Sequence, residues 1–275
     1  MQLSKYRMDS GSRWALNGRF LPIEFDLKQL LARGKSDGIA WLKSMDLGEE
    51  SRAYTLLAPI DGDQEVWACG VTYLRSREAR MEESDVADVY ERVYDADRPE
   101  VFFKSLGWRA CGHNQTIRVR SDSNWNVPEP ELTLVVNKYG EIIGYTAGND
   151  VSSRSIEGEN PLYLPQAKTY NGSCAIGSNI ILDDELDLGN LPIQLEIFRN
   201  GKSIFSDSAN TNQLKRTPAE LVSWLIRELS FPHGVLLMTG TCLVPDDGFT
   251  LTEGDEVMIQ VGEVNLVNRV EPNKI

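Results

Sequence analysis

Short apolar runs and apolar–polar alternation recur along most of the chain, and both patterns predict strands rather than long helices. The clearest case is an apolar run at residues 132–136, which is followed by the turn-forming segment 138–141 and a second apolar run at 142–151. Two such runs around a short turn that contains Gly140 predict an antiparallel hairpin. Alternate residues of a strand share a face, so the hairpin should gather side chains of both strands on one face.

The rest of the chain has further strand patterns and a few helix patterns. Asn200-Gly201 predicts a tight hairpin turn. Thr217 is expected to cap a helix that has Pro218 at its first position and Glu220 completing a capping box. The other predicted strands cover residues 66–73, 98–104, 115–120, 175–182, 191–198, 202–205, 235–238, 256–261 and 264–270, and the other predicted helices cover 25–33 (closed by Gly34), 75–81 and 85–94 (capped by Ser84).

The order of these elements predicts the fold class and the domains. Strands dominate and do not alternate regularly with helices, which favours a β-rich α+β roll over a doubly wound sheet. The Pro- and Gly-containing segment 58–63 is a plausible linker. We therefore expect a small N-terminal domain at residues 1–62 and a catalytic β-roll domain at residues 63–275.

Residues 152–168 follow the central hairpin and have no regular period. The segment contains two prolines and one glycine, and it is long for a connection. Long loops are usually either functional or disordered, and the apolar residues Leu162, Tyr163 and Leu164 argue against disorder. We therefore expect an irregular but ordered cover over an active site.

Charge and composition narrow the possible partners. The net charge of −13 and the pI near 4.7 argue against nucleic acid or an anionic membrane as partner. An anionic substrate would be repelled at long range, so a metal or a basic cluster would have to hold it locally. The chain has no apolar run long enough to span a bilayer, and its first residues do not resemble a signal peptide. The four scattered cysteines are expected to be reduced thiols, and we expect a cytoplasmic protein.

Three carboxylates of the central hairpin form the strongest candidate site. Glu129 and Glu131 lie two positions apart at the start of the first strand, and Asp150 ends the second. An antiparallel hairpin would bring all three together, and all-oxygen ligation suits Mg²⁺ or Mn²⁺. The alternative is two exposed glutamates and a turn aspartate. A structural calcium site would need more ligands.

Other polar residues give weaker indications. Lys168 closes the cover segment, and it could hold a substrate oxygen or act as a base; the alternative is a surface lysine. Glu100 and Lys104 are further candidates that could equally form an ordinary salt bridge. The segment 239–241 could hold a carboxylate or form a plain turn. His113 and His233 are expected in turns, and the chain has no nucleophile elbow, P-loop or dinucleotide-binding motif.

Four of these segments together resemble the fumarylacetoacetate hydrolase family. They are Glu129-x-Glu131, residues 144–152, Lys168 and Thr239-Gly240-Thr241, and the resemblance extends from about Val66 to the C-terminus. The resemblance implies a mixed β-roll fold, a Mg²⁺ or similar ion on Glu129, Glu131 and Asp150, and Lys168 in the active site. It also implies dimers or higher oligomers, and we expect a homodimer or homotetramer.

The segment 70–78 departs from the pattern of the hydrolases. Hydrolases of the family carry a water-activating histidine after a Gly-x-x-Tyr segment, whereas this chain has Ser76 there. Its cover segment instead resembles the sugar-acid dehydratase branch, the 2-keto-3-deoxy-D-arabinonate or xylonate dehydratases. That resemblance implies loss of water from a 2-keto-3-deoxy acid (2-dehydro-3-deoxy-D-pentonate) to give 2,5-dioxopentanoate, in pentose catabolism.

The resemblance also suggests roles for individual residues. For proton transfer we rank Lys168 first and Glu100 second. Arg75, Arg77 and Lys104 are expected to contact the substrate, and Thr241 to bind its C1 carboxylate. Two alternatives remain open. One is an acylpyruvate-type C–C hydrolase or oxaloacetate-type decarboxylase on the same fold, and the other is a non-catalytic sugar-acid binding protein.

Overall fold

The computed structural model describes residues 1–75, 92–246 and 248–272. Arg77, Ser76 and most of the predicted helices at 75–81 and 85–94 lie outside these ranges. The strands are β1 Gln2–Arg7, β2 Ser12–Leu16, β3 Arg19–Phe20, β4 Leu56–Leu57, β5 Glu65–Gly70, β6 Glu100–Leu106, β7 Thr116–Val119, β8 Asn126–Val127, β9 Pro130–Val136, β10 Ile142–Asp150, β11 Ser152–Ser153, β12 Cys174–Ile176, β13 Ile180–Leu182, β14 Pro192–Arg199, β15 Lys202–Asn210, β16 Val235–Thr241, β17 Glu256–Val261 and β18 Val264–Pro272. The helices are α1 Leu27–Leu31, α2 Lys35–Lys43, α3 Arg154–Glu159, α4 Leu164–Lys168 and α5 Pro218–Leu225, with 3-10 turns at Gly107–Arg109, Pro161–Tyr163 and Thr211–Gln213.

Within the described ranges these strands form two large sheets and one short pair. The larger sheet has 11 strands in the order β3-β2-β1-β13-β10-β9-β16-β5-β6, with β12 paired to β10 and β4 to β1. The smaller sheet has five strands in the order β15-β14-β17-β18-β7, and β8 pairs with β11. Most neighbours are antiparallel, but β16 and β5, and β18 and β7, run parallel. The sheets are therefore mixed, as the strand-rich sequence predicts.

A shared hydrophobic core lies between the two large sheets. The inward residues of the smaller sheet alternate with outward polar ones, as in β18, where Val264, Leu266 and Val270 are buried. Strands β9 and β10 lie in the middle of the larger sheet and are buried along nearly their whole length. Polar side chains at the ends of β9 and β10 are consequently held in a low-dielectric environment.

The N-terminal segment joins the larger sheet through β1. Strand β1 pairs with β13, and a second core cluster contains Leu3 and Leu30 together with Leu236 and Met238 of later strands. The boundary between the predicted domains at residue 62 stays a prediction. Among the described residues, no helix has the length and apolar character that crossing a bilayer requires.

Four local predictions need correction. The helix pattern at 25–33 continues after Gly34, which caps a second helix, α2. The predicted strand at 175–182 is split by residues 177–179 into β12 and β13. Residues 152–168 are largely helical rather than irregular, because Asn160 and the prolines start new helical turns. Residues 239–241 continue β16 instead of forming a turn between strands.

Candidate metal centre

The central hairpin brings Glu129, Glu131 and Asp150 together, as predicted. Glu131 faces Gly148 across the β9–β10 pair, and the Asp150 amide donates to the Glu129 carbonyl at 3.0 Å. Carboxylate oxygens of the three residues all lie within 4.8 Å of one another. Each residue is buried, with at most 2% of its surface exposed. The turn is held by Asn137, whose side-chain oxygen accepts from the amides of residues 139 and 141.

A bulge in β16 orients Glu131. The register between β9 and β16 shifts between Met238 and Thr241, and Gly240 has a φ of 96°. The Gly240 amide is thereby aimed at Oε2 of Glu131, to which it donates at 2.6 Å. A Cβ at Gly240 would lie 2.0 Å from Oγ1 of Thr72, so a side chain here would displace the strand. Steric crowding by Thr72 therefore explains why glycine occupies position 240.

Three buried cations surround the three carboxylates. Lys168 Nζ lies between Glu129 and Asp150, at 3.1 Å from Asp150 Oδ2, and it donates to Ser152 Oγ at 2.7 Å. Arg154 Nη2 is 2.9 Å from Glu129 Oε1. Lys104, which has no exposed surface, contacts Asp150 and the backbone carbonyls of residues 151 and 168. Three positive charges thus accompany three negative ones inside the protein.

The pKa values show where a further cation is favoured. Burial raises the pKa of Glu131 well above its usual value, and the charges of Asp150 and Glu129 add to the rise. For Asp150, burial also acts to raise the pKa, but Lys104 and Lys168 outweigh it, so its pKa is lowered. A divalent ion beside Glu131 would relieve its repulsion from the other two carboxylates. The buried all-oxygen donor set therefore fits a hard cation such as Mg²⁺.

A small cavity opens beside the carboxylates. Its volume is about 20 Å³, and a larger cavity of about 670 Å³ lies apart from it, over the smaller sheet. The candidate metal ligands Glu129 and Glu131 and the candidate base Lys168 line the smaller cavity. Glu100 reaches it because Gly70 is opposite on β5; a Cβ at residue 70 would be 1.8 Å from Glu100 Oε2. The lining residues are Cys69, Gly70, Val71, Glu100, Phe102, Glu129, Glu131, Glu157, Lys168 and Thr241.

Comparison with known proteins decides the family. The protein-family model described as fumarylacetoacetate (FAA) hydrolase C-terminal matches residues 66–271. The chain belongs to the fumarylacetoacetate hydrolase family. The match covers the site residues, the smaller sheet and the strands of the larger sheet from β5 onward, whereas β1–β4 lie before it.

Two relatives of this family are named as dehydratases. The chain is 50% identical over 204 residues to a probable 2-keto-3-deoxyxylonate dehydratase of Haloferax volcanii, covering 74% of this chain and 70% of the relative. It is 46% identical over 212 residues to the 2-dehydro-3-deoxy-D-arabinonate dehydratase of Saccharolobus solfataricus, covering 75% and 70%. The predicted resemblance to the dehydratase branch is confirmed.

A solved structure of the family matches the whole chain. It is 2-keto-3-deoxy-D-arabinonate dehydratase complexed with magnesium and 2,5-dioxopentanoate, and it superposes with a TM-score of 0.86 at 33% identity, covering 100% of both chains. The apo form of that enzyme gives a TM-score of 0.87 at 35% identity. The predicted β-rich α+β fold of the family is therefore confirmed.

Some of the predicted site residues line the small cavity, and others lie away from it. Lys168, Glu100 and Thr241 line the cavity. Lys104 lies behind Asp150 with its ammonium turned to a carboxylate and two carbonyls. Arg75 is exposed at the edge of the described range. The roles of these residues in catalysis and substrate binding stay predictions.

Two buried charged residues beside the site, Arg154 and Glu157, were not among the predicted site residues. Both residues lie on α3. Arg154 is buried beside Glu129, and Glu157 is buried beside the cavity. They fall in the segment 152–168, which shows no regular period and was therefore expected to be irregular. Their helical spacing of three residues, directly after the Asp150 strand, is the signal that could have found them.

Proposed function

We propose that the chain is a Mg²⁺-dependent hydro-lyase that converts a 2-keto-3-deoxypentonate into 2,5-dioxopentanoate and water. The observation that carries the proposal is the buried group of Glu129, Glu131 and Asp150 with Lys168 among them. Dehydratases with 46% and 50% identity support the same reaction. Mn²⁺ is the alternative ion, since it accepts the same ligands.

Glu129, Glu131 and Asp150 would hold the ion. When bound, Mg²⁺ supplies positive charge that polarises the C2 carbonyl of the keto acid and makes the C3 hydrogens more acidic. Glu131 is kept in place by the Gly240 amide, and Glu129 by Arg154. These contacts pre-orient the carboxylates, so that little reorganisation is needed on binding.

Lys168 is the first candidate for moving the C3 proton. Its Nζ is held within the carboxylate group by Asp150 and Ser152, and the ring of Phe102 lies 5.6 Å away. A positioned general base typically contributes about 10²–10⁴-fold to a rate. Glu100 is the second candidate, since it lines the same cavity beside Gly70. Thr241 lines the cavity, and its hydroxyl is the candidate hydrogen-bond donor to the C1 carboxylate of the substrate.

Helices α3 and α4 form the cover of this site. Lys168 is the last residue of α4, and Lys104 binds its carbonyl, which ties the cover to the end of β10. A cover that excludes water protects a carbanion-like carbon from reprotonation by solvent. This supports an elimination that runs inside a closed site.

The substitution Glu131→Gln tests the proposed function. Glu131→Gln removes one ligand charge with little change in shape, and it should abolish Mg²⁺ binding in calorimetry and lower kcat by at least 100-fold. Glu253→Gln, an exposed glutamate of a turn, is the matched control. Near wild-type dehydration by Glu131→Gln would contradict the metal site.

Product analysis separates the proposed reaction from the alternatives. With Mg²⁺ and a panel of 2-keto-3-deoxypentonates, mass spectrometry should detect 2,5-dioxopentanoate. Pyruvate or CO₂ would instead indicate a hydrolase or decarboxylase, and binding without turnover would indicate a sugar-acid binding protein.

Lys168→Ala should lower kcat while leaving Mg²⁺ bound, because the carboxylates remain.

We also infer the setting in which the enzyme works. The family resemblance supports a homodimer or homotetramer in pentose catabolism, and the cysteine pattern supports a cytoplasmic protein. The described cysteines are free thiols, which is consistent with a reducing compartment. Light scattering on the purified protein would measure the oligomeric mass.

A further inference from the structure

Val71 has a backbone conformation that is unusual for its residue type. It directly follows strand β5, and its φ of 53° lies in the left-handed region, which β-branched residues rarely adopt. The residue is buried, and it lines the small cavity beside the carboxylates. Backbone strain of this kind persists only where the surrounding contacts hold it, and it is concentrated at functional sites. The contacts of the next residue, Thr72, show what this turn of the chain achieves.

The turn at Val71 brings the side chain of Thr72 onto strand β16. An extended chain would carry Thr72 about 7 Å beyond Gly70, the last residue of β5. Instead, the Thr72 hydroxyl donates to the carbonyl of Thr239 at 2.6 Å. The Thr72 carbonyl in turn accepts from the Lys215 amide at 3.0 Å, and Thr72 is only 2% exposed. Thr72 is thus fixed from two sides, and these contacts offset the strain at Val71.

The carbonyl of Thr239 and the amide of Gly240 belong to one peptide group. A peptide group is planar and trans, so its oxygen and its N–H hydrogen point in opposite directions. The oxygen of this group accepts from the Thr72 hydroxyl, and its N–H donates to Glu131 Oε2 at 2.6 Å. Hydrogen bonds that follow one another through a peptide group polarise each other and become stronger. The Thr72 hydroxyl therefore orients this peptide group and strengthens its bond to Glu131.

We propose that Thr72 is a positioning residue of the metal centre, an inference that rests on the proposed function. Its hydroxyl fixes the 239–240 peptide group, and that group holds Glu131 in the orientation in which it would bind Mg²⁺. Thr72 does not line the small cavity, so it acts through the peptide group and not by contact with the substrate. Removal of a contact that orients a metal ligand typically lowers the metal affinity by about 10–100-fold.

The substitution Thr72→Val removes the hydroxyl and keeps the shape of the side chain. The Mg²⁺ affinity of this variant in calorimetry should fall by about 10–100-fold. In the metal-free protein, the Gly240 amide should exchange with D₂O about tenfold faster or more, as followed by NMR, because its peptide group is no longer held. Thr72→Ser keeps a hydroxyl donor, so its Mg²⁺ affinity and Gly240 exchange should stay within about threefold of wild type.

Thr211→Val is the matched control for the loss of a buried threonine hydroxyl. Thr211 is also 2% exposed, and its hydroxyl accepts from the Leu191 amide at 2.8 Å. The loss of this hydrogen bond should lower the free energy of unfolding in urea, while the Mg²⁺ affinity stays at the wild-type value. Equal losses of Mg²⁺ affinity in Thr211→Val and Thr72→Val would mean a general structural effect and would overturn the proposal.

Three further outcomes would count against Thr72. They are wild-type Mg²⁺ affinity in Thr72→Val, equal losses of affinity in Thr72→Val and Thr72→Ser, and a Gly240 amide that exchanges in the metal-free wild type as fast as in an unfolded chain. The last measurement applies even if Thr72→Val does not fold. If the wild type itself binds no Mg²⁺, the proposed function fails instead, and the Gly240 exchange of the metal-free variants still decides the role of Thr72.

Discussion

At the level of single residues, buried cations accompany the three carboxylates of the metal centre. Glu129, Glu131 and Asp150 are matched by Lys104, Arg154 and Lys168, all of them nearly or fully buried. The chain therefore supplies cations of its own, which the pattern of carboxylates alone does not reveal. A divalent ion would add two positive charges to these six groups, beside Glu100 and Glu157, which line the same cavity. An anionic keto acid, whose carbonyl oxygen gains negative charge during reaction, is the complementary ligand.

Lys104→Met should destabilise the fold strongly. The change leaves Asp150 and the carbonyls of residues 151 and 168 without a buried donor. Removing one partner of a buried ion pair typically costs about 3–5 kcal/mol. Urea denaturation would measure the free energy of unfolding. Lys202→Met on the exposed β15 is the control, and equal unfolding free energies for the two variants would contradict the structural importance of Lys104.

Gly240→Ala should weaken Mg²⁺ binding. The added Cβ meets Thr72 and so moves the amide that binds Glu131, and we expect the Mg²⁺ affinity in calorimetry to fall tenfold or more. Gly201→Ala is a matched control, because Gly201 also has a positive φ, of 74°, but open space around it. Both variants should lose about 1–3 kcal/mol of stability through backbone strain. Unchanged Mg²⁺ affinity in Gly240→Ala would show that this amide does not orient Glu131.

Among the residues of the site, those set by strand geometry were predictable and those set by packing were not. The two-residue spacing of Glu129 and Glu131 and the hairpin to Asp150 follow from local pattern. Lys104 and Arg154 reach the same point from β6 and α3, and only the folded chain shows that they meet Asp150 and Glu129. Sequence distance carries no information about such contacts.

At the level of elements, the strong local signals predicted the structure well. Strand β17 has the predicted bounds, and Thr217 caps α5 by accepting from the Glu220 amide at 3.1 Å. The bulge in β16 could not be read from the sequence, because it depends on the register with β9. Helices α3 and α4 were missed because each is shorter than two turns and gives no usable apolar period.

An ion pair between β14 and the start of β17 predicts a pH dependence of stability. Arg199 binds both oxygens of Asp255 at 2.8 Å, and the Thr252 amide donates to the same carboxylate at 2.9 Å. Burial acts to raise the pKa of Asp255, but Arg199 and Thr252 outweigh it, so the pKa is lowered. The native state therefore favours the ionised form. This contribution is present above about pH 4, the usual value, and is lost as the pH falls further.

Asp255→Asn measures that contribution. At pH 7 the variant should lose about 1–2 kcal/mol of unfolding free energy, a figure reduced because Arg199 is 37% exposed. The difference from wild type should shrink below about pH 4, where the native carboxylate also takes up a proton. Asp122→Asn is the control, since Asp122 pairs with Arg120 but is 61% exposed, and its effect should be smaller. An Asp255→Asn effect that does not change with pH would contradict the pKa shift.

At the level of the whole molecule, two sheets enclose one core and the site lies where β9 and β10 end. This core packs on one face of β9 and β10 and the second core cluster packs on the other, so carboxylates can be held with little freedom. A Cβ at Gly148 would meet Thr133 and Met238, and one at Gly70 would meet Glu100, so both glycines leave room for neighbouring side chains. The site is consequently a property of the sheet, and the cover segment completes it.

The overall charge predicts how turnover depends on salt. A net charge of −13 repels an anionic keto acid at long range, while the cations of the site act only nearby. Raising NaCl from 10 to 150 mM shortens the screening length from about 30 to about 8 Å. At saturating Mg²⁺ we therefore expect kcat/KM to rise about twofold or more and kcat to stay constant, since repulsion slows encounter but not chemistry. Steady-state kinetics across that range would check this, and a fall in kcat/KM with salt would mean that a positive local field, rather than the net charge, governs the approach of the substrate.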